Sequence, residues 1–161
     1  KNKNEQKISS IFFRQAALQN PQPSVLAKAA DADCLKFSLL SPTQRLTWIG
    51  QTKKSRSSVE MSNPDSRPEI ANKVPDFEEY DTVFLGFPIW WYVAPAIINT
   101  FVESYDFSGK TVVPFATSGG SGMGKTEETL RTLCPNAIWK KGEMLNHVSD
   151  TELKKWLDDI L

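Results

Sequence analysis

The chain has 161 residues, 40% of them hydrophobic and 24% charged, which is enough for one domain with a real core and too short for two. Its 19 basic residues balance 19 acidic ones, so the global field recruits neither nucleic acid nor an anionic membrane surface. No apolar run approaches the roughly 20 residues that span a bilayer, and the start KNKNEQK has no apolar signal-peptide core; the chain reads as one cytoplasmic domain over residues 1–161.

The texture of the chain changes near residue 55. Before it, Cys34 to Lys54 (CLKFSLLSPTQRLTWIGQTKK) has neither strand nor helix periodicity. From Asp81 onward the elements are clear. Asp81–Phe87 (DTVFLGF) is a near-continuous apolar run, the pattern of a strand buried on both faces. In the following APAIINTFVESYDF, Ile97, Ile98, Phe101, Val102 and Tyr105 recur at helical spacing, and Pro95 suits a first-turn position. Thr111–Thr117 (TVVPFAT) predicts a second buried strand, parallel and adjacent to the first, with Val83, Leu85, Val113 and Phe115 in the core. It runs into SGGSGMGK. TEETLRTLC then predicts an amphipathic helix with Leu130 and Leu133 inward and acids in its first turn. Ala137–Leu145 predicts a third strand, and Ser149 with Glu152 has capping-box spacing before a terminal helix whose face is Leu153, Trp156, Leu157 and Ile160. Strands alternating with helices imply a parallel sheet covered on both sides.

In such a sheet, ligands bind beyond the carboxyl ends of the strands. Two unusual segments fall there. Pro88, Ile89, Trp90, Trp91 and Tyr92 follow one strand, and Thr117, Ser118, Gly119, Gly120, Ser121 and Gly122 end the next. An aromatic wall that stacks, beside a loop of hydroxyl and backbone N–H donors, suits a flat, partly polar heterocycle such as a flavin. Each segment alone has a plainer reading, as packing aromatics and as a flexible turn. Their place at adjacent strand ends favours a site. The glycines lack Walker spacing. Cys34, Cys134 and His147 have no metal-ligand or dyad spacing and read as structural.

Tyr80 to Gly124, together with Ser55–Ile70 (SRSSVEMSNPDSRPEI), resembles the flavodoxin-like flavoproteins of the bacterial flavodoxin and NAD(P)H-quinone-reductase-like group. The resemblance implies a five-stranded parallel sheet in the order 2-1-3-4-5, with FMN at the switch point. It implies that residues 88–92 flank the isoalloxazine ring and that Thr117 to Gly122 contact its other edge and polar rim, Ser118 to Ser121 chiefly through backbone N–H and hydroxyl groups. It also implies an electron carrier served by a redox partner protein, or a reductase using NAD(P)H. No second dinucleotide domain is visible, which leans towards a carrier.

The first third departs from the family pattern. The loop that should hold the FMN phosphate, resembling F-S-x-T-G-x-T, is replaced by Ser9–Val25 (SSIFFRQAALQNPQPSV), with no glycine and no threonine, and Pro21 and Pro23 interrupt the expected first helix. Read literally, the phosphate site is missing and the first strand damaged, as in a flavin-free interaction module of the same fold. Reading the gene one base earlier changes this. Residues 34–54 then permit LFEIQPAVPYTTADLDWTDKK, a family-like text that rejoins the frame at Ser55, and Gln15 to Gln22 permits TGGTTKSA. The expectation is a pair of compensating frameshifts, in the gene or in its reading.

Overall fold

The computed structural model describes residues 7–13, 22–37, 62–89, 92–118, 120 and 122–161. In chain order the elements are β1 (Ile8–Phe13), α1 (Gln22–Ala29), β2 (Asp33–Phe37), β3 (Thr82–Pro88), α2 (Ala96–Ser104), β4 (Thr111–Thr117), α3 (Thr126–Leu133), β5 (Ile138–Trp139), β6 (Glu143–Met144) and α4 (Asp150–Ile160). Among the described residues they form a six-stranded sheet in the order β2-β1-β3-β4-β5, with β6 also beside β4 and every pairing parallel. This is the expected doubly wound order, with the fifth strand in two pieces.

The centre of the sheet follows from the apolar runs. All seven residues of β3 are buried, because this strand is covered on both faces. Its side chains alternate: Val83, Leu85 and Phe87 enter one core cluster and Phe84 the other. The register pairs Val83 with Val112 and Leu85 with Pro114, and Val83, Leu85, Val113 and Phe115 are buried as predicted. Gly86 is required by packing, since a Cβ there would run into the Phe115 ring. Helices α2 and α3 lie with the cluster that includes Ile97, Phe101 and Leu130, and α1 and α4 with Leu26, Leu153 and Leu157.

The terminal helix starts as its sequence predicts. Ser149 Oγ accepts from the Glu152 N–H, and the Glu152 carboxylate accepts from the Ser149 N–H, a complete capping box. That bonding holds the Glu152 carboxyl below its ordinary value. Pro95 takes the N-cap of α2, one position before the helix proper.

The N-terminal third corrects the literal reading of the sequence. Strand β1 is intact and pairs with both β2 and β3. The aperiodic stretch begins with a strand after all: β2 pairs from Ser9↔Asp33 to Phe13↔Phe37. Pro23 does not interrupt α1, because it is the second helical residue, where an N–H would have no partner within the helix. Most of the residues behind the frameshift reading, 14–21 and 38–61, lie outside the described residues.

The predicted third strand is divided. Residues 138 and 139 pair with 111 and 112, whereas 143 and 144 pair with 115 and 116, so one extra residue enters the edge. The carbonyls of Lys110, Val112 and Ala116 accept from this edge, and by alternation Pro114 faces it too. A proline has no N–H to donate there. Gly142 fills the gap: a Cβ would lie 2.8 Å from the Pro114 carbonyl oxygen and from Met123. No helix among the described residues is long and apolar enough to cross a membrane.

Candidate functional site

The two central strands end level with one another. Pro88 and Thr117, their last residues, are register partners, and the Ile89 N–H donates to the Thr117 carbonyl at 2.8 Å. The two loops therefore leave the sheet side by side at its carboxyl edge. They meet again further out, where a Cβ at Gly124 (φ 55°) would overlap the Tyr92 carbonyl oxygen. Only glycine satisfies both the left-handed backbone and that close approach.

The expected site residues fall into four groups, the last of them in the β4 loop. Pro88 and Ile89 are buried, Ile89 within the core cluster under α2, so they anchor the β3 loop. Tyr92 is 69% exposed and has a φ of 68°. A bulky residue in the left-handed region carries backbone strain, which concentrates at binding sites. Trp90, Trp91, Gly119 and Ser121 lie outside the described residues.

In the β4 loop, Gly120 (φ 150°) and Gly122 have open space where a side chain would begin, with nothing within 4 Å among the described residues. Thr117 and Ser118 are half-buried. Ser118 departs from the expected role in one respect. Its N–H, expected to face a ligand, donates to Asn146 Oδ1 at 3.0 Å, and its carbonyl accepts from Asn146 Nδ2. The Gly120 N–H in turn donates to Ser118 Oγ at 3.2 Å. Ser118 and Gly120 are thus tied to one another, and Ser118 is held by a side-chain amide from beyond β6.

Asn146 was invisible to sequence reasoning, because its partner is 28 residues away and a lone asparagine carries no spacing signal. Glu127 is a second missed residue. Its Oε1 accepts from the Gly142 N–H at 2.8 Å, and its Oε2 lies 3.6 Å from Arg131, so it ties the first turn of α3 to the divided edge strand.

The arrangement fits a flat heterocycle. An exposed aromatic and two glycines facing open space among the described residues border the same strand ends, and Gly120 is tied to a fixed serine. The phosphate end of such a ligand would fall to residues 14–21, outside the described residues.

Comparison with known proteins points the same way. The flavodoxin family profile matches residues 7–160. A crystal structure from Bacteroides eggerthii that bears the name flavoprotein is 41% identical, with 96% of this chain and 97% of that chain covered and a TM-score of 0.89. A similarly named one from Bacteroides uniformis is 40% identical over 95% of this chain and 98% of that chain, with a TM-score of 0.88. A flavoprotein from Lactobacillus acidophilus, solved in complex with FMN, shares the fold at 16% identity, covering 94% of this chain and 98% of that chain with a TM-score of 0.68. No curated protein matches the chain.

Proposed function

The chain belongs to the flavodoxin family, and on that premise we propose that it binds FMN at the carboxyl edge of β3 and β4 and works as a redox protein. The observation that carries this reading is the pair of level strand ends whose loops present an exposed Tyr92 on one side and the open glycines 120 and 122 on the other. Residues 88–92 would wall one side of the ring, and 117–122 would meet its other edge and polar rim. Glycine permits the close backbone approach that a side chain would block. Bound FMN supplies one- and two-electron chemistry. The protein's part is to stack, to hydrogen-bond and to exclude water.

The fixed root of the β4 loop gives this part its physical basis. With the Ser118 backbone occupied by Asn146, the loop need not be ordered when a ligand arrives, so less binding energy is lost to ordering. Of Trp90 and Trp91, one would pack on the ring and the other would wall the crevice, since adjacent side chains of an extended segment point to opposite sides. The electron-rich indole face would disfavour a reduced, anionic ring.

Electrons would come from a redox partner protein, or from NAD(P)H if the protein is a reductase of quinone-type acceptors. A second reading, a flavin-free interaction module, is favoured by one observation: Gln15 to Gln22 as written contains no glycine or threonine for a phosphate. Visible flavin absorbance of the purified protein separates the two. Loss of that absorbance in FMN titrations of a Gly120 variant with a bulky side chain, in a protein that still folds, would support the assigned loop. Unchanged affinity and potential in both Trp90→Ala and Trp91→Ala would return the aromatics to plain packing. Steady-state turnover with NADH or NADPH and a quinone distinguishes reductase from carrier.

A further inference from the structure

Among the described residues the β3 and β4 loops touch at two points. At the root the Ile89 N–H donates to the Thr117 carbonyl at 2.8 Å. Further out the backbones of Tyr92 and Gly124 meet, so that a Cβ on Gly124 would overlap the Tyr92 carbonyl oxygen and stand 3.1 Å from the carbonyl carbon. Both residues of this outer contact are left-handed, with φ 68° for Tyr92 and 55° for Gly124. Glycine adopts that conformation freely, whereas a tyrosine resists it. A resisted conformation persists only where the surroundings dictate it.

The outer contact is anchored on both sides. Gly124 precedes Lys125, the N-cap of α3, and the Thr126 N–H donates across it to the Met123 carbonyl at 3.1 Å. Met123 packs against the core cluster. On the other loop, Tyr92 runs into the buried Ala94 and then Pro95, the N-cap of α2. Tyr92 itself is 69% exposed, so burial of its ring is a weak reason for its backbone conformation. The atoms of Tyr92 nearest to the would-be Cβ are its carbonyl oxygen and carbon; main chain meets main chain.

We propose that Gly124 is a positioning residue for the candidate site: by meeting Tyr92 backbone to backbone, it holds Tyr92 in the left-handed conformation and fixes the separation of the two loops before a ligand arrives. Gly124 need not touch the ligand. Its effect passes through Tyr92, and with both touching points set, less binding energy goes into ordering the β3 loop. Any side chain at position 124 would push the loops apart or force Tyr92 out of its conformation. That the ligand is FMN rests on the redox reading above; the contact itself does not.

The test compares two alanines. Gly109, just before β4 and so at its opposite end, also has a positive φ (73°), but a Cβ there meets nothing within 4 Å among the described residues. Gly109→Ala and Gly124→Ala should both lower the thermal midpoint, since alanine resists a left-handed backbone. Gly124→Ala alone should weaken FMN binding, titrated on the molecules that remain folded, by roughly two- to tenfold, the cost of ordering one more side chain on binding. It alone should also change the three-bond coupling between the Tyr92 amide proton and its Hα, which reports φ and is read by NMR without any flavin. Tyr92→Gly supplies a second arm: a glycine there can yield, so adding Gly124→Ala to it should lower the midpoint by less than in wild type. Undiminished FMN affinity in Gly124→Ala, an unchanged Tyr92 coupling, or the same loss of midpoint with and without Tyr92→Gly overturns the proposal, as does failure of Gly124→Ala to fold in both backgrounds. A wild type that binds no FMN while its Tyr92 coupling answers to Gly124→Ala keeps the contact and loses the redox reading; one that binds FMN with a coupling indifferent to Gly124→Ala does the reverse.

Discussion

On one face of the sheet, α1 and α4 rest on a largely aliphatic layer: Leu26, Val113, Leu145, Leu153 and Leu157, with Phe84 and Phe115. The other face is larger and includes a knot of packed rings. Phe77, Phe101 and Phe107 pack edge to face within 6.2 Å of one another, with Tyr105 tilted against Phe77 and Phe101. It also carries polar ties. Arg67 forks onto Glu103 at 2.7 and 3.1 Å, and the Val74 N–H donates to the Tyr105 hydroxyl at 2.9 Å. Those ties hold the mostly exposed segment 62–76 over α2, where little apolar burial could do so. Ile89 and Ala94 belong to the same core cluster, so the root of the β3 loop is fastened to this face. The first face sets stability. The second is expected to set stability and the geometry of the β3 loop together.

The largest expected effects compare the faces directly. Phe101→Ala should cost about 3–5 kcal/mol of stability, read by denaturant unfolding, and should also weaken FMN binding by the molecules that remain folded, because Ile89 and Ala94 share the core cluster of Phe101. Leu157→Ala on the opposite face should cost about 2–5 kcal/mol and leave that affinity unchanged. Equal loss of affinity in both would erase the distinction between the faces.

Asn146→Ala comes next. It strips both partners from the Ser118 backbone, a loss of about 1–3 kcal/mol when groups are left unpaired, and the β4 loop should become less ordered. Weaker FMN binding is expected beyond what the lost stability explains. A titration matching wild type would show that the loop root does not govern the crevice.

Ser149→Ala removes the cap of α4 and should cost about 1 kcal/mol, with flavin affinity untouched, as befits the first face. The smallest effect is confined to alkali. Burial, and then the hydrogen bond to Asp33 at 2.7 Å, raise the Tyr80 hydroxyl from 10.0 to about 12. The folded state thus favours the neutral phenol. Its contribution is whole below about pH 10 and is lost as the pH rises through about 12. The stability difference between wild type and Tyr80→Phe, followed by denaturant midpoint, should shrink across that window. A constant difference would mean that Tyr80 does not titrate with folding.

The centre of the fold was legible because β3 and β4 are buried on both faces and therefore read as unbroken apolar runs, and because the α4 cap is a local motif. The N-terminal strands were not. Ser9 and Ser10 are fully buried in β1, where the pattern leads one to expect apolar residues, and β2 is an edge strand with Asp33 and Cys34 exposed. Pro23 misled because its effect depends on its place in a helix whose start no cap announces. The site divides in the same way. The glycine-rich segment announced itself, whereas Asn146 matters through a partner that only tertiary structure reveals. The frameshift reading is settled by peptide mass spectrometry: peptides matching residues 34–54 as written would exclude an error in reading the gene.

The interruption opposite Pro114 has a consequence beyond local geometry. An unpaired sheet margin can recruit the strand of another molecule and seed aggregation. Here that margin consists of two strands of two residues each, out of step with one another by the extra residue. Between and beside them stand the exposed Lys140, Lys141 and Glu143. An incoming strand would meet a broken register and charge where it needs a continuous row of donors and acceptors. The missing N–H of one proline thus disfavours strand addition at this margin.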